Sequence, residues 1–189
     1  LDTGITKIEY ASPFSIYHNK QSNLPGIVLS VARHGPDRTL FAGTTSGLYS
    51  MAPGGKFLPV PRMTGTYWSL LSTGDSLLAA TGRGIFLLNK NSPKRIIETS
   101  SFVLLRSRRD ENRIWAGTRW GLVSLYRGNE NNEWTAEYKF EKVTGKIGTI
   151  VENKDGSLWL GTGNAIHVEF PKDGTVSGPV VTPVVTRYG

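Results

Sequence analysis

LeuTrpLeuGlyThrGlyAsnAlaIleHis, from Leu158 to His167, is a strand-like run that ends in a small-residue turn and then starts again. The same figure stands at Leu40 (LeuPheAlaGlyThrThrSerGlyLeuTyr), at Leu77 (LeuLeuAlaAlaThrGlyArgGlyIlePhe) and at Ile114 (IleTrpAlaGlyThrArgTrpGlyLeuVal). Aligned on Gly43, Ala80, Gly117 and Gly161, the copies step by 37, 37 and 44 residues. A period near 40 with β patterning throughout is the mark of a β-propeller, with one four-stranded blade per repeat. The expected class is therefore all-β, a propeller of four readable blades over about 27–63, 66–98, 101–143 and 146–189. Either a fifth blade is assembled from the two termini, with PheSerIleTyrHis (Phe14–His18) contributing, or the four form a segment of a larger propeller.

Working outward from the fourth copy, IleGlyThrIleVal (Ile147–Val151) suits a first strand near the axis. AsnLysAspGly (Asn153–Gly156) supplies hairpin turn chemistry, because Asp and Gly tolerate left-handed backbone. Ser157–Thr162 and Ala165–Phe170 read as the second and third strands, and the Val-rich tail near Val180–Val185 as the outer fourth. The longer third step is absorbed by GlyAsnGluAsnAsnGlu (Gly128–Glu133), a polar loop insertion of small energetic consequence. Gly43, Ala80, Gly117 and Gly161 are expected to let neighbouring sheets approach closely. The hydroxyls of Thr44, Thr81, Thr118 and Thr162 are placed to bond the following turn. Phe41, Leu78, Trp115 and Trp159 share one repeat position, and that recurrence predicts packing between blades, with both tryptophans structural.

Composition agrees with a globular domain: 189 residues, 38% hydrophobic and 20% charged, with 22 Gly and 10 Pro for many tight turns. The chain opens Leu1-Asp2-Thr3 without an initiator methionine, which suggests a start after processing or excision. It contains no run long and apolar enough for a membrane span. The absence of cysteine excludes disulfides, thiolate zinc sites and cysteine nucleophiles. A formal charge of +7 favours an anionic partner. The basic residues are scattered, however, and the densest knot (Arg106, Arg108, Arg109, Arg113) is broken by Asp110 and Glu111, which argues against nucleic acid.

LysAspGlySerLeuTrpLeuGlyThr (Lys154–Thr162), with Ile114–Leu122 and AsnLeuProGlyIleValLeuSerValAla (Asn23–Ala32), resembles the two-component-regulator propeller repeat. The resemblance covers roughly Asn23 to His167; copy two departs with Ala80 for glycine, and copy four with Ala165 where Gly-Leu is usual. It implies the periplasmic or extracellular sensor part of a bacterial signalling protein, of a kind that often perceives glycans and carries more blades than are readable here.

Catalytic chemistry finds no constellation. His18, His34 and His167 lack metal spacing, and no phosphate loop, nucleophile elbow or recurring carboxylate pair occurs. No cofactor is implied. The reading is a non-catalytic ligand-sensing or interaction module; the alternatives are a scaffold or lectin-like module of an exported protein and a polysaccharide-active enzyme. A ligand would meet the face where second-to-third-strand turns and first-strand lead-ins emerge together. There Arg83 and Arg119 could clamp a carboxylate or sulfate, and Trp68, Trp120 and Tyr67 could stack on sugar, while Ser101-Phe102 and Lys146 also reach that face. The expected partner is an acidic oligosaccharide or other anion; a protein partner or homodimer is the other candidate.

Overall fold

The computed structural model describes Tyr17 and residues 22–88, 93–128, 132–171 and 179–184. Among these residues the chain forms sixteen strands, and no helix is long and apolar enough to cross a membrane. They make four sheets of four strands, each an antiparallel meander in chain order. The first holds β1 (Val28–His34), β2 (Thr39–Thr44), β3 (Gly47–Met51) and β4 (Phe57–Thr64). The second holds β5 (Tyr67–Ser72), β6 (Leu77–Thr81), β7 (Gly84–Leu88) and β8 (Pro93–Ile97). The third holds β9 (Ser101–Arg106), β10 (Arg113–Thr118), β11 (Gly121–Arg127) and β12 (Trp134–Lys139). The fourth holds β13 (Thr149–Glu152), β14 (Leu158–Gly161), β15 (Ala165–Glu169) and β16 (Val180–Val184). A fifth blade built from the termini would fall largely on residues 1–16 and 185–189, outside the described residues.

The sheets stack as propeller blades. The first strand of each blade lies against the first and second strands of the one before: β5 on β1 and β2, β9 on β5 and β6, β13 on β9 and β10. Between the sheets lie three apolar layers, one per junction. Alternation along each strand feeds them. In β5, Leu70 points into the first layer and Leu71 into the second; in β9, Leu104 joins the second layer and Leu105 the third.

The recurring threonine folds the second-to-third-strand turn. Thr81 Oγ1 donates to the Gly84 carbonyl at 2.9 Å and accepts from Arg83 N at 3.0 Å; Thr118 does the same with Gly121 O and Trp120 N. The glycine that follows is sterically required: Gly84 has φ +133°, and a Cβ there would run into the Ile97 carbonyl. Neighbouring sheets approach closely at Gly43, where a Cβ would stand 2.8 Å from Tyr67 Cβ of the next blade, and at Gly117, where it would stand 2.7 Å from the Ile147 carbonyl in the lead-in to blade four.

Candidate functional site

The first strands of blades one to three share an irregularity that the repeat does not announce. Thr44 pairs with Val28 and Gly43 with Ser30; Thr81 pairs with Tyr67 and Ala80 with Ser69; Thr118 pairs with Ser101 and Gly117 with Val103. In each case two residues oppose one, so Leu29, Trp68 and Phe102 are bulged out of the ladder at equivalent positions. A β-bulge re-aims the extra side chain, commonly beside functional sites. Trp68 is 38% exposed, and its ring centroid lies 5.7 Å from that of Phe102 in an edge contact. Lys146, in the lead-in to blade four, places Nζ 4.5 Å from the Phe102 ring centroid. Trp68, Phe102 and Lys146 thus form one aromatic and cationic ladder across three successive blades.

The ladder sits on a backbone-braced surface. Ser100 Oγ donates to Gly82 O at 2.6 Å, Arg119 N to Ser100 O at 2.8 Å, and Ile147 N to Thr118 O at 3.0 Å. Turns and lead-ins are therefore tied both within a blade and to the next one. The turns and connections on this face carry Arg83, Arg119, Lys142 and Lys146 against Glu98 and Glu141, and Glu98 is paired with Arg95 at 2.8 Å. The local field is positive.

Two of the expected binding residues, Tyr67 and Arg83, lie at the junction of blades one and two. Tyr67 is 1% exposed, packed in the layer between blades one and two, and burial pushes its hydroxyl up to about 12 even with the Arg83 guanidinium beside it. It offers no face to a ligand. Arg83, which is exposed, turns back across the junction and donates from Nη2 to Thr64 O of blade one at 3.0 Å, so part of its guanidinium straps the two blades. The reason is shared: Tyr67 fills the space that Gly43 leaves open, and Arg83 closes over it. By contrast, Trp120 is 60% exposed at the tip of its turn, with the Arg119 guanidinium carbon 5.3 Å from its ring. Arg119 and Trp120 form a second cation–aromatic pair, which is separate from the Trp68 ladder among the recorded ring contacts.

At the opposite edge, sequence reasoning missed a buried carboxylate. Glu152, last in β13 and 5% exposed, accepts from Ser107 Oγ at 2.7 Å, Arg108 N at 2.5 Å and Trp115 Nε1 at 3.3 Å. The one hint was its parity with Ile150, which places it on the face turned to blade three. Trp115 is 3% exposed and stacks on Phe170 at 5.0 Å and 14°. Trp159, expected to be packed in the same way, is 38% exposed; its ring meets His167 at 4.5 Å. Among the described residues no following first strand lies over blade four. Asp155 serves its turn: Oδ1 accepts from Ser157 N at 2.9 Å and Oγ at 2.7 Å, and these bonds lower its pKa.

No family model matches the chain, and no curated protein matches it. Solved structures do. The extracellular domain described as that of the hybrid two-component system BT3049 from B. thetaiotaomicron aligns over 90% of this chain and 26% of its own, at 18% identity and a TM-score of 0.71. The extracellular domain of the hybrid two-component system BT4673 from the same organism aligns over 89% of this chain and 23% of its own, at 19% identity and TM-score 0.65. A second structure of that domain, described as a one-component system, gives 77%, 22%, 22% identity and 0.55. The chain spans about a quarter of the length of these structures. At such identities the similarity establishes the fold.

Proposed function

We propose that this chain is part of the extracytoplasmic ligand-sensing region of a bacterial signalling protein, and that it binds an acidic oligosaccharide without transforming it. The observation that carries this reading is the Trp68–Phe102–Lys146 ladder, in which three consecutive blades hold an apolar, π-faced strip and a cation on a braced surface. Aromatic faces stack on the C–H faces of sugars, and a cation at one end selects a carboxylate or sulfate. Arg119 and Trp120 extend the same chemistry to the turn of blade three. The propeller fold shared with extracellular domains of signalling systems agrees with this placement.

Calorimetry over a panel of neutral, uronic and sulfated oligosaccharides tests the reading. The expected result is binding of acidic members that weakens as salt rises from roughly 0.05 to 0.5 M and the Debye length shortens. Trp68→Ala and Lys146→Ala should each weaken it by about tenfold, the worth of one stacking or cation–π contact. Equal affinity for neutral and acidic sugars would defeat the anionic part, and turnover of any panel member would defeat the non-catalytic part.

A further inference from the structure

The two cation–aromatic pairs on the braced face are fixed to one another across the junction of blades three and four. Ile147 N donates to Thr118 O at 3.0 Å. Arg119 follows Thr118 and Lys146 precedes Ile147, so the two cations flank a single backbone bond. Beside that bond, Gly117 has no room for a Cβ, which would stand 2.7 Å from the Ile147 carbonyl and 2.6 Å from Val103 Cγ1. The close approach of the two backbones holds the charges together. Arg119 is tied from its other side as well, through its N–H to Ser100 O at 2.8 Å.

Both side chains are exposed, and among the described residues neither has a carboxylate partner. The carboxylates of this face are already engaged or offset: Glu98 pairs with Arg95, and Glu141 is followed by Lys142. Each cation is instead drawn over a ring of its own. Lys146 Nζ lies 4.5 Å from the Phe102 centroid, and Arg119 Cζ lies 5.3 Å from that of Trp120. No ring contact joins Phe102 to Trp120 among the described residues. Stacking face and charge therefore occur twice in the same combination, once at the first strand of blade three and once at its second-to-third-strand turn. Two like charges on either side of one bond repel, and each keeps only the weak attraction of a ring quadrupole. A ligand with one acidic group relieves one of them. A ligand with two, on successive units, relieves both and sets each unit against a ring.

We propose that Arg119 and Lys146 make this a site for a doubly acidic ligand, an oligosaccharide segment with a carboxylate or sulfate on each of two neighbouring units. This preference rests on the sugar-binding reading above and adds to it the number and succession of the charges. Arg119 and Lys146 are then the specificity residues for the paired charges, whereas Trp68 serves affinity for any sugar that stacks.

Calorimetry with tetrasaccharides that carry no acidic group, one, or two on neighbouring units tests this. The proteins are the parent chain, Arg119→Ala, Lys146→Ala and Arg119→Lys. Both positions are exposed, and circular dichroism confirms that each variant folds. The expected result is that doubly acidic members bind the parent roughly tenfold or more tighter than singly acidic ones. Each alanine variant loses that advantage while still binding singly acidic members through the remaining cation, and Arg119→Lys restores most of it because the charge is kept. Singly acidic members that bind the parent as tightly as doubly acidic ones would overturn the proposal and leave the acidic-sugar reading standing. An advantage that survives Arg119→Ala would do the same. A parent chain that binds no acidic member, or binds neutral and acidic members alike, would overturn the reading beneath and the proposal with it.

Discussion

Trp115 and Trp159 occupy the same repeat position, the second residue of LeuTrpLeuGlyThr or its equivalent, yet they live in different environments. Trp115 is sealed between blades three and four, stacked on Phe170, tilted against Phe140 at 6.0 Å and bonded through its indole N–H to Glu152. Trp159 is 38% exposed, with the His167 ring alongside. A repeat residue is therefore buried by the blade that comes after it, not by its own. The stabilising unit of this fold is the junction, as expected of an architecture in which each repeat buries its face only against its neighbours.

The largest expected effect tests that difference directly. Trp115→Ala should cost about 3–5 kcal/mol, because a large buried side chain is replaced by a cavity and the Glu152 carboxylate loses a donor. Trp159→Ala should cost about 1–2 kcal/mol, since much of the ring is already in water. Denaturant unfolding of the two variants, at unchanged m-value, measures the gap. Equal losses would mean that Trp159 is covered in solution and would erase the distinction.

A smaller effect is expected at Glu152. Glu152→Ala leaves the buried Ser107 Oγ and Trp115 Nε1 and the partly buried Arg108 N without their acceptor, at about 2–3 kcal/mol. Glu152→Gln retains one acceptor oxygen and should lose clearly less. If the two variants are equally destabilised, it is the charge, not the acceptor geometry, that holds blade four to blade three.

These contrasts also define what could be read from residues alone. The second and third strands, their turn and the threonine bond within it were legible, because each is local and recurs four times. The bulges were not. Leu29, Trp68 and Phe102 look like ordinary strand residues, and only the pairing with Thr44, Thr81 and Thr118 shows that each first strand carries one residue too many. The placement of Tyr67 and Arg83 was not legible for a related reason. Tyr67 packs over Gly43, 24 positions earlier, and Arg83 bonds Thr64, 19 positions earlier, both in the preceding blade, and no single motif displays such relations. Trp159 is more exposed than its repeat position predicts, because that position buries its side chain against the first strand of a following blade, and no such strand lies over blade four among the described residues.

The smallest effect concerns the first junction, where His34 and Ser72 play the part that Ser107 and Glu152 play at the third. Partial burial lowers the His34 pKa from its ordinary 6.5, while Asp75 and Asp37 pull it back in part. The fold therefore favours the neutral ring, and the unfolded chain binds the proton more readily. Stability contributed by His34 is fully present above about pH 6.5 and declines as pH falls from there through the lower, folded value. Carboxylates such as Asp37 and Asp155, also lowered by their turn hydrogen bonds, act in the same direction but at more acidic pH, below their ordinary 3.8. The two windows separate on a pH axis. Unfolding free energy measured between pH 7.5 and 5 should fall for the parent chain, and the slope should flatten in His34→Gln, whose amide can still meet Ser72 but does not titrate. An unchanged slope in that variant would place the pH response elsewhere and leave the first junction without the polar clamp that the third one has.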